Sequence, residues 1–534
     1  MLTSRFCLPL LILLQSPYLY SHQHSVNLTL EDFGFQSLNI SKATFRSVDK
    51  IQVLEFSNVN IYIIENGSLC SAAPEKIIFR DSGFSKLNKS HFGGCPSLTT
   101  LVFDHSGMTI GDETFSVLFS LKYLHFVEQY MDKVSKNFLK NLTSLENLSF
   151  SSCYLHVIEA DAFDDLRSLK HLSLSENMLL KFDGLLTPNL NQLTTLSIGL
   201  DYLESFPLED LQHVPNLEKL WLNDNYNITR FDQFSTTVML KLRLINLSSN
   251  KLVHFPWNYL QYVPNLEELM LDYNGLKTAF GGLLTVEMRK LRKLHLEQNY
   301  LDDFSWSDLE LMPNLEELIL SSNKISWNRS VKSIIGRSTK LRKLYLNDNK
   351  LKHFPSDILQ DMPYLEKLHL ENNEISTVFD LPANLQALQE LHLNHNNLTD
   401  FQRMANLDNL RKLDLSYNNL IDFHWSVLYY MTNLKSLILS NNKIQNILGE
   451  PRRDNIKKLK KLYLNNNELK HFPWNSLQYM PGLEELYLAN NKIKIVSVEF
   501  LALSRLQKLD LKHNNLDDFK YNVSGSMPNL HVLI

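Results

Sequence analysis

The sequence is poor in glycine, with 16 in 534 residues, about half the usual share of ~7%. Glycine-rich phosphate cradles are therefore not expected, and no Walker loop occurs. Nor is there an HExxH, a GxSxG, an EF-hand loop or a CxxC pair, so the common metalloprotease, hydrolase, calcium and redox signatures are missing. Charge of one sign is lacking too. A net charge of −5 and a pI near 6.4 argue against nucleic acid and against general attraction to anionic membranes. No stretch reaches the ~18 consecutive apolar residues of a membrane-spanning helix. The chain is expected to be non-enzymatic and to need no cofactor or metal.

What is present begins with a leader. Arg5 supplies a positive start, Phe6 to Leu14 is an apolar run, and Ser21 offers a small residue for cleavage. The run is too short to cross a bilayer, so residues 1–21 read as a secretory signal peptide. Cys7 leaves with it, and the mature chain keeps Cys70, Cys95 and Cys153. An odd count in a secreted protein asks for one pair and one survivor. Many Asn-x-Ser/Thr sequons agree with export. Asn66, Asn88 and Asn328 are the expected outer-face glycosylation sites, while Asn147 and Asn246 fall at strand positions where a sugar would block the sheet.

From Ile51 onward one unit repeats, L-x-x-L-x-L-x-x-N-x-L, as in Leu341 to Leu351 and Leu483 to Ile493. Steps of 22 to 26 residues give about 20 full repeats over 51–529, with another begun at 530–534. Alternate leucines put one face of a short strand inward. A single such strand cannot bury its leucines alone, and stacking in parallel closes the core. Asparagine at position 9, from Asn177 to Asn514, has the donors and acceptors to serve the turn that leaves each strand. Residues 22–50 fit the repeat poorly, and Leu28 and Leu30 suggest a capping strand. Cys70 and Cys95 fall at positions 20 and 22 of consecutive units, near enough for a disulfide; Cys153 replaces a ladder asparagine and reads as a buried thiol.

These features identify the chain as a member of the leucine-rich-repeat superfamily. The 24-residue form with Phe at position 14 (Phe182, Phe206, Phe255, Phe304, Phe354, Phe401, Phe423, Phe472, Phe519) resembles Toll-receptor ectodomains and insect secreted leucine-rich immune proteins. The resemblance implies an α/β solenoid, a horseshoe with a parallel concave β-sheet. The Phe residues are expected to form a stacked spine. From about Leu193 two kinds of unit alternate, one ending F-P-W-N…L-Q-Y-M/V-P. Strand charges alternate as well: Glu267–Glu268, Arg292–Lys293, Glu316–Glu317, Arg342–Lys343. Such rows face one another across neighbouring strands and fix register.

Position 5 of the strands points to the concave side and carries Trp221, Met270, His295, Tyr345, His369, His392, Tyr463 and Tyr487. Exposed large aromatics there suggest a binding surface for protein, with glycans as a second class. His369, His392 and Asp414 form a row across three strands. A row does not converge on one ion, so the expectation is a solvated polar stripe. The basic run Arg452, Arg453, Lys457, Lys458, Lys460 and Lys461 reads as a solvated loop, partly balanced by Glu484 and Glu485. The function expected is secreted or cell-surface recognition, in innate immunity on the strength of the resemblance. Cell adhesion, a matrix role, or an ectodomain of a receptor is the alternative. Ending inside a strand motif, the chain is expected to be a fragment that could pair through its C-terminal end.

Overall fold

The computed structural model describes residues 26–31, 38–45, 48, 50–229, 237–280, 286–326, 339–378, 382, 384–401, 407–451, 456–497, 503–520 and 527–533. They fall into two compact units, Met1–Asn265 and Leu266–Ile534. In each, successive repeats add one strand to a parallel sheet. The first unit's sheet runs from Val26–Glu31 and Ile51–Ser57 to Leu244–Asn246; the second's runs from Glu268–Met270 to Val532–Leu533. The chain folds as a leucine-rich-repeat solenoid.

Register explains the leucine period. Leu148, Leu172, Leu196 and Leu220 face one another strand to strand in the first unit. In the second, Leu294, Leu318, Leu344, Leu368, Leu391 and Leu413 do the same, and all of these leucines are buried. Each contributes about 1.5–3 kcal/mol by leaving water, which only the stack makes available. Near the N-terminus Leu28 and Leu30 lie opposite Leu54 and Phe56 and are buried.

The asparagine ladder turns the chain out of each strand. Asn373 Nδ2 donates to the carbonyls of Leu346 at 2.9 Å and Leu370 at 3.1 Å, and its Oδ1 accepts from the Leu351 amide at 3.0 Å. One side chain therefore serves its own turn and the coil before it. The residue ahead of the asparagine sits in the left-handed region, as at Asn372, His395 and Tyr417 with φ of 54°. A side chain there costs about 1–2 kcal/mol; the three ladder bonds hold the turn regardless, which is how a glycine-poor chain repeats it.

The opposite side of the repeats is built mainly from short 3-10 helices, such as Trp257–Tyr262, Trp306–Leu311, Trp425–Tyr430 and Trp474–Tyr479. These are the units with the F-P-W-N or related ending. The expected Phe spine at position 14 requires correction. Phe182 stacks on Phe206 with centroids 5.7 Å apart, but Phe255, Phe304, Phe423 and Phe472 each meet the tryptophan two residues on, edge to face. The tryptophan gives each of these rings a local partner, and Phe304 meets Phe280 of the preceding coil edge to face rather than stacked. Phe519 has no described side chain. The continuous spine lies at position 6 of the early repeats: Phe56, Phe79, Phe103, Phe126 and Phe150, at 5.1, 5.4, 5.0 and 4.8 Å.

Candidate binding face

The position-5 row of the second unit is continuous in register. Met270, His295, Ile319, Tyr345, His369, His392, Asp414, Ile438, Tyr463, Tyr487 and Asp510 lie on neighbouring strands in that order. Within it the aromatic residues pack against each other. Tyr345 stacks on His369 at 4.7 Å, His369 on His392 at 4.3 Å, and Tyr463 on Tyr487 at 4.6 Å. Asp414 and Ile438 separate the two groups. Trp221 lies in the first unit, between Ser197 and Asn246 in register.

These side chains are less exposed than a solvated stripe would be. Most are half-buried, and His392 is buried with 9% exposure. The reason is lateral stacking: rings standing on strands one register apart cover each other's faces and offer their edges to solvent. The solvated reading of the histidine row is therefore corrected. Burial holds the His392 imidazolium below its ordinary range, with the neighbouring His369 and Lys412 charges adding to the effect. Burial likewise raises the Tyr345 phenol, helped by Glu317, and the Tyr463 phenol, helped by Glu485.

The third member expected from the row, Asp414, is not part of the cluster that forms around the histidines. Its Oδ1 accepts from the Ser416 amide at 3.1 Å and the Ser416 hydroxyl at 2.6 Å. Glu371 takes that place instead. It stands two residues after His369, on the same face, with Oε1 3.0 Å from His369 Nδ1. Burial pulls the Glu371 carboxyl up, but the His369 hydrogen bond and the histidine charges outweigh it and hold it below its usual range. The i, i+2 parity of a strand was the signal that would have found it. His295, also in the row, has its Nδ1 3.7 Å from Asp272 Oδ2 and its Nε2 buried without a hydrogen-bond partner.

Charged residues border the row. Arg292 pairs with Glu316 at 3.0 Å, Lys293 with Glu268 at 3.4 Å, Lys343 with Glu317 at 3.1 Å and Lys367 with Glu390 at 2.7 Å. The first three pairs, with Glu267, Arg342 and Glu366, line an open groove of about 420 Å³. The alternation leaves it without a dominant sign. Farther along, Lys460 and Lys461 pair with Glu484 and Glu485, so these two of the six cations of the basic run are neutralised; Arg452 and Arg453 lie outside the described residues.

The remaining sequence candidates sit away from this face. Cys70 and Cys95 are bonded, with Cα atoms 5.0 Å apart. Cys153 is free and buried, and burial pushes its thiol up to about 12, which makes it inert at neutral pH. Asn66 is exposed and Asn88 half-buried, the latter capping the 3-10 helix Lys89–Phe92 through the Ser90 amide. Asn246 is buried, with its Oδ1 accepting from the Ser248 amide. Asn328 lies outside the described residues. No helix among the described residues is long and apolar enough to cross a membrane.

Comparison with known families matches a leucine rich repeat model over 215–276, 264–325, 339–398, 408–450 and 457–516. A BspA type leucine rich repeat region covers 19–141 and 85–209, and a two-copy leucine rich repeat model covers 386–426. The chain belongs to the leucine-rich-repeat family. Comparison with curated proteins returned no match. Among solved structures, a leucine-rich-repeat protein of Leptospira interrogans is 21% identical at a TM-score of 0.50, covering 85% of this chain and 95% of that one. Toll in its complex with Spatzle, from Drosophila, is 19% identical at 0.51, covering 92% of this chain and 58% of that one. At such identities the leucine-rich-repeat protein shares the fold with both.

Proposed function

We propose that this leucine-rich-repeat protein is exported and binds protein partners through the sheet face of its second unit, in innate immune recognition. The observation that carries the reading is the pre-packed row Tyr345–His369–His392 with Tyr463–Tyr487. Rings held by their neighbours on a paired sheet have little freedom left to lose on binding, the profile of interface anchors. The balanced charges alongside provide a polar rim. The contact area that the row offers supports the reading of a binding surface.

Export is supported by the leader at residues 1–21 and by the bonded Cys70–Cys95 pair, a bond that persists in oxidising compartments. The immune role draws on the Toll–Spatzle complex, a molecular hub in Drosophila development and innate immunity. Expression of the full coding sequence in an animal cell line tests the reading. The protein is expected in the medium, glycosylated, with the Cys70–Cys95 bond found by non-reducing peptide mapping. It should recover a soluble protein partner from extracellular fluid. Retention inside the cell with both thiols free would defeat export. Adhesion to matrix or cell surfaces, with no soluble partner, would redirect the function to a structural role.

A further inference from the structure

We propose that His369, Glu371 and His392 form a binding site for a divalent transition metal of the zinc type on the sheet face of the second unit. The strands Lys367–His369 and Glu390–His392 are register neighbours, and His369 faces His392 directly. One ligand atom from each of the three residues lies within 4.8 Å of the other two. Two imidazoles and a carboxylate are a donor set suited to zinc and its first-row neighbours.

The second observation is what these groups lack. Glu371 spends Oε1 on His369, yet its Oε2 is buried with no hydrogen-bond partner. His392 is nine-tenths buried, and its Nε2 is likewise without one. Glu390 Oε2 stands 3.6 Å from that nitrogen, an ion pair only when the imidazole is protonated and beyond hydrogen-bond reach, while Glu390 Oε1 holds Lys367. Buried polar atoms are nearly always satisfied. A cation among the three residues would give the buried Glu371 carboxylate the partner that it lacks.

The geometry also states what must move. Zinc takes nitrogen and oxygen donors at about 2.0–2.2 Å, so tetrahedral donors stand roughly 3.4 Å apart. The 4.8 Å span must close a little. The histidine rings are nearly parallel, 11° apart, so one of them has to turn about its Cβ–Cγ bond to aim its lone pair at the shared ion. Three protein donors leave a fourth position open on the side away from the sheet, where a water or a partner's donor would complete the shell. Asp414 is outside the trio, with its Oδ1 held by Ser416.

The test uses the full chain, stripped with a chelator and titrated with Zn2+ by calorimetry and with Co2+ by visible absorption. Wild type is expected to bind one saturating equivalent and to give the intense Co2+ bands of a four-coordinate nitrogen–oxygen site. Glu371→Gln, which keeps the shape of the side chain, and His392→Ala should each weaken Zn2+ at least about tenfold and lose the Co2+ bands. His471→Ala, an exposed histidine elsewhere, should bind as wild type does. If His392→Ala fails to fold, Glu371→Gln decides alone. Equal affinity in Glu371→Gln and wild type, or no saturable binding by wild type, would overturn the site.

Discussion

The two units solve the same problem with different residues. In the second, an amide occupies the ladder slot in every described repeat from Asn274 to Asn514, and leucine fills the core. In the early repeats of the first unit the slot holds Ser82, Ser106, Gln129 and Cys153, all buried, and phenylalanine fills position 6. Ser106 donates to Gln129 Oε1 at 2.6 Å and Gln129 Nε2 to the Met108 carbonyl at 2.9 Å. Ser82 accepts from the Val59 amide at 3.3 Å and donates to the Phe56 carbonyl at 3.2 Å, and Cys153 Sγ donates to the Phe126 carbonyl at 3.6 Å, all longer than the 2.9 and 3.0 Å bonds of Asn373 to the coil before it. The strands there run five residues, as in Thr100–Asp104, against three in Lys367–His369. Where the turn is weakly bonded, longer ladders and stacked rings hold the coils. Where the amides hold it, three-residue strands suffice.

The comparison breaks most sharply at a ladder asparagine. Asn373→Ala would leave the Leu351 amide unpaired in the core, at about 1–3 kcal/mol. It would also take one of two bonds from each of the Leu346 and Leu370 carbonyls, which keep Asn349 and Asn396, at about 0.5–1.5 kcal/mol apiece. A loss of roughly 4 kcal/mol is expected in denaturant unfolding, with new protease cleavage near the site. Cys153→Ala, in the same slot of the first unit, should cost about 1–2 kcal/mol. Similar losses at both positions would mean that the amide is not what distinguishes the units.

Asp201 sharpens the contrast. It occupies the ladder slot between Asn177 and Asn225, it is 1% exposed, and burial pushes its carboxyl up to about 7. Oδ1 accepts from the Leu179 amide at 3.1 Å, as an asparagine would, but Oδ2 has no partner. An ionised carboxylate cannot donate where Asn225 gives Nδ2 to the Ile198 carbonyl. The protonated acid can. Between its ordinary value of 3.8 and about 7, the folded chain keeps a proton that the unfolded chain has released. Stability contributed by this residue is therefore complete below that window and falls as pH rises through it. Asp201→Asn is expected to add about 2–4 kcal/mol above pH 7 and to flatten the profile. Thermal melts from pH 4 to 8 measure this, and an unchanged pH slope in the variant would refute the ladder account of Asp201.

Much of this was legible in the sequence. The leucine and asparagine periods are backbone requirements, and every repeat has to meet them, so the solenoid and the sheet face could be read directly. The site was legible by row but not by partner. His369 and His392 stand at one strand position, whereas Glu371 enters from position 7 and depends on side-chain direction. The Phe spine was misplaced for a similar reason. Position 14 recurs in the sequence, but alternate units put a tryptophan beside it, and stacking is decided by what lies on the next coil.

The smallest expected effect is at the charged border. Lys343→Ala, removing the 3.1 Å pair with Glu317 at a half-exposed site, should cost under about 1 kcal/mol and nothing at high salt, where such pairs are screened. A larger, salt-insensitive loss in chemical denaturation would give these residues more than a role in register.

The central claim is that the aromatic row of the second unit is the contact surface. It is tested most directly by the affinity of a recovered partner for wild type, Tyr345→Ala and Tyr463→Ala. Ile495→Ala, half-exposed on the strand Ile495–Ser497 away from the main sheet, is the control, and all four are compared at matched melting temperature. The account predicts a loss of about 2 kcal/mol, roughly thirtyfold, for either tyrosine, with Ile495→Ala binding like wild type. Equal affinities for all four proteins would contradict it and move the interface off the sheet.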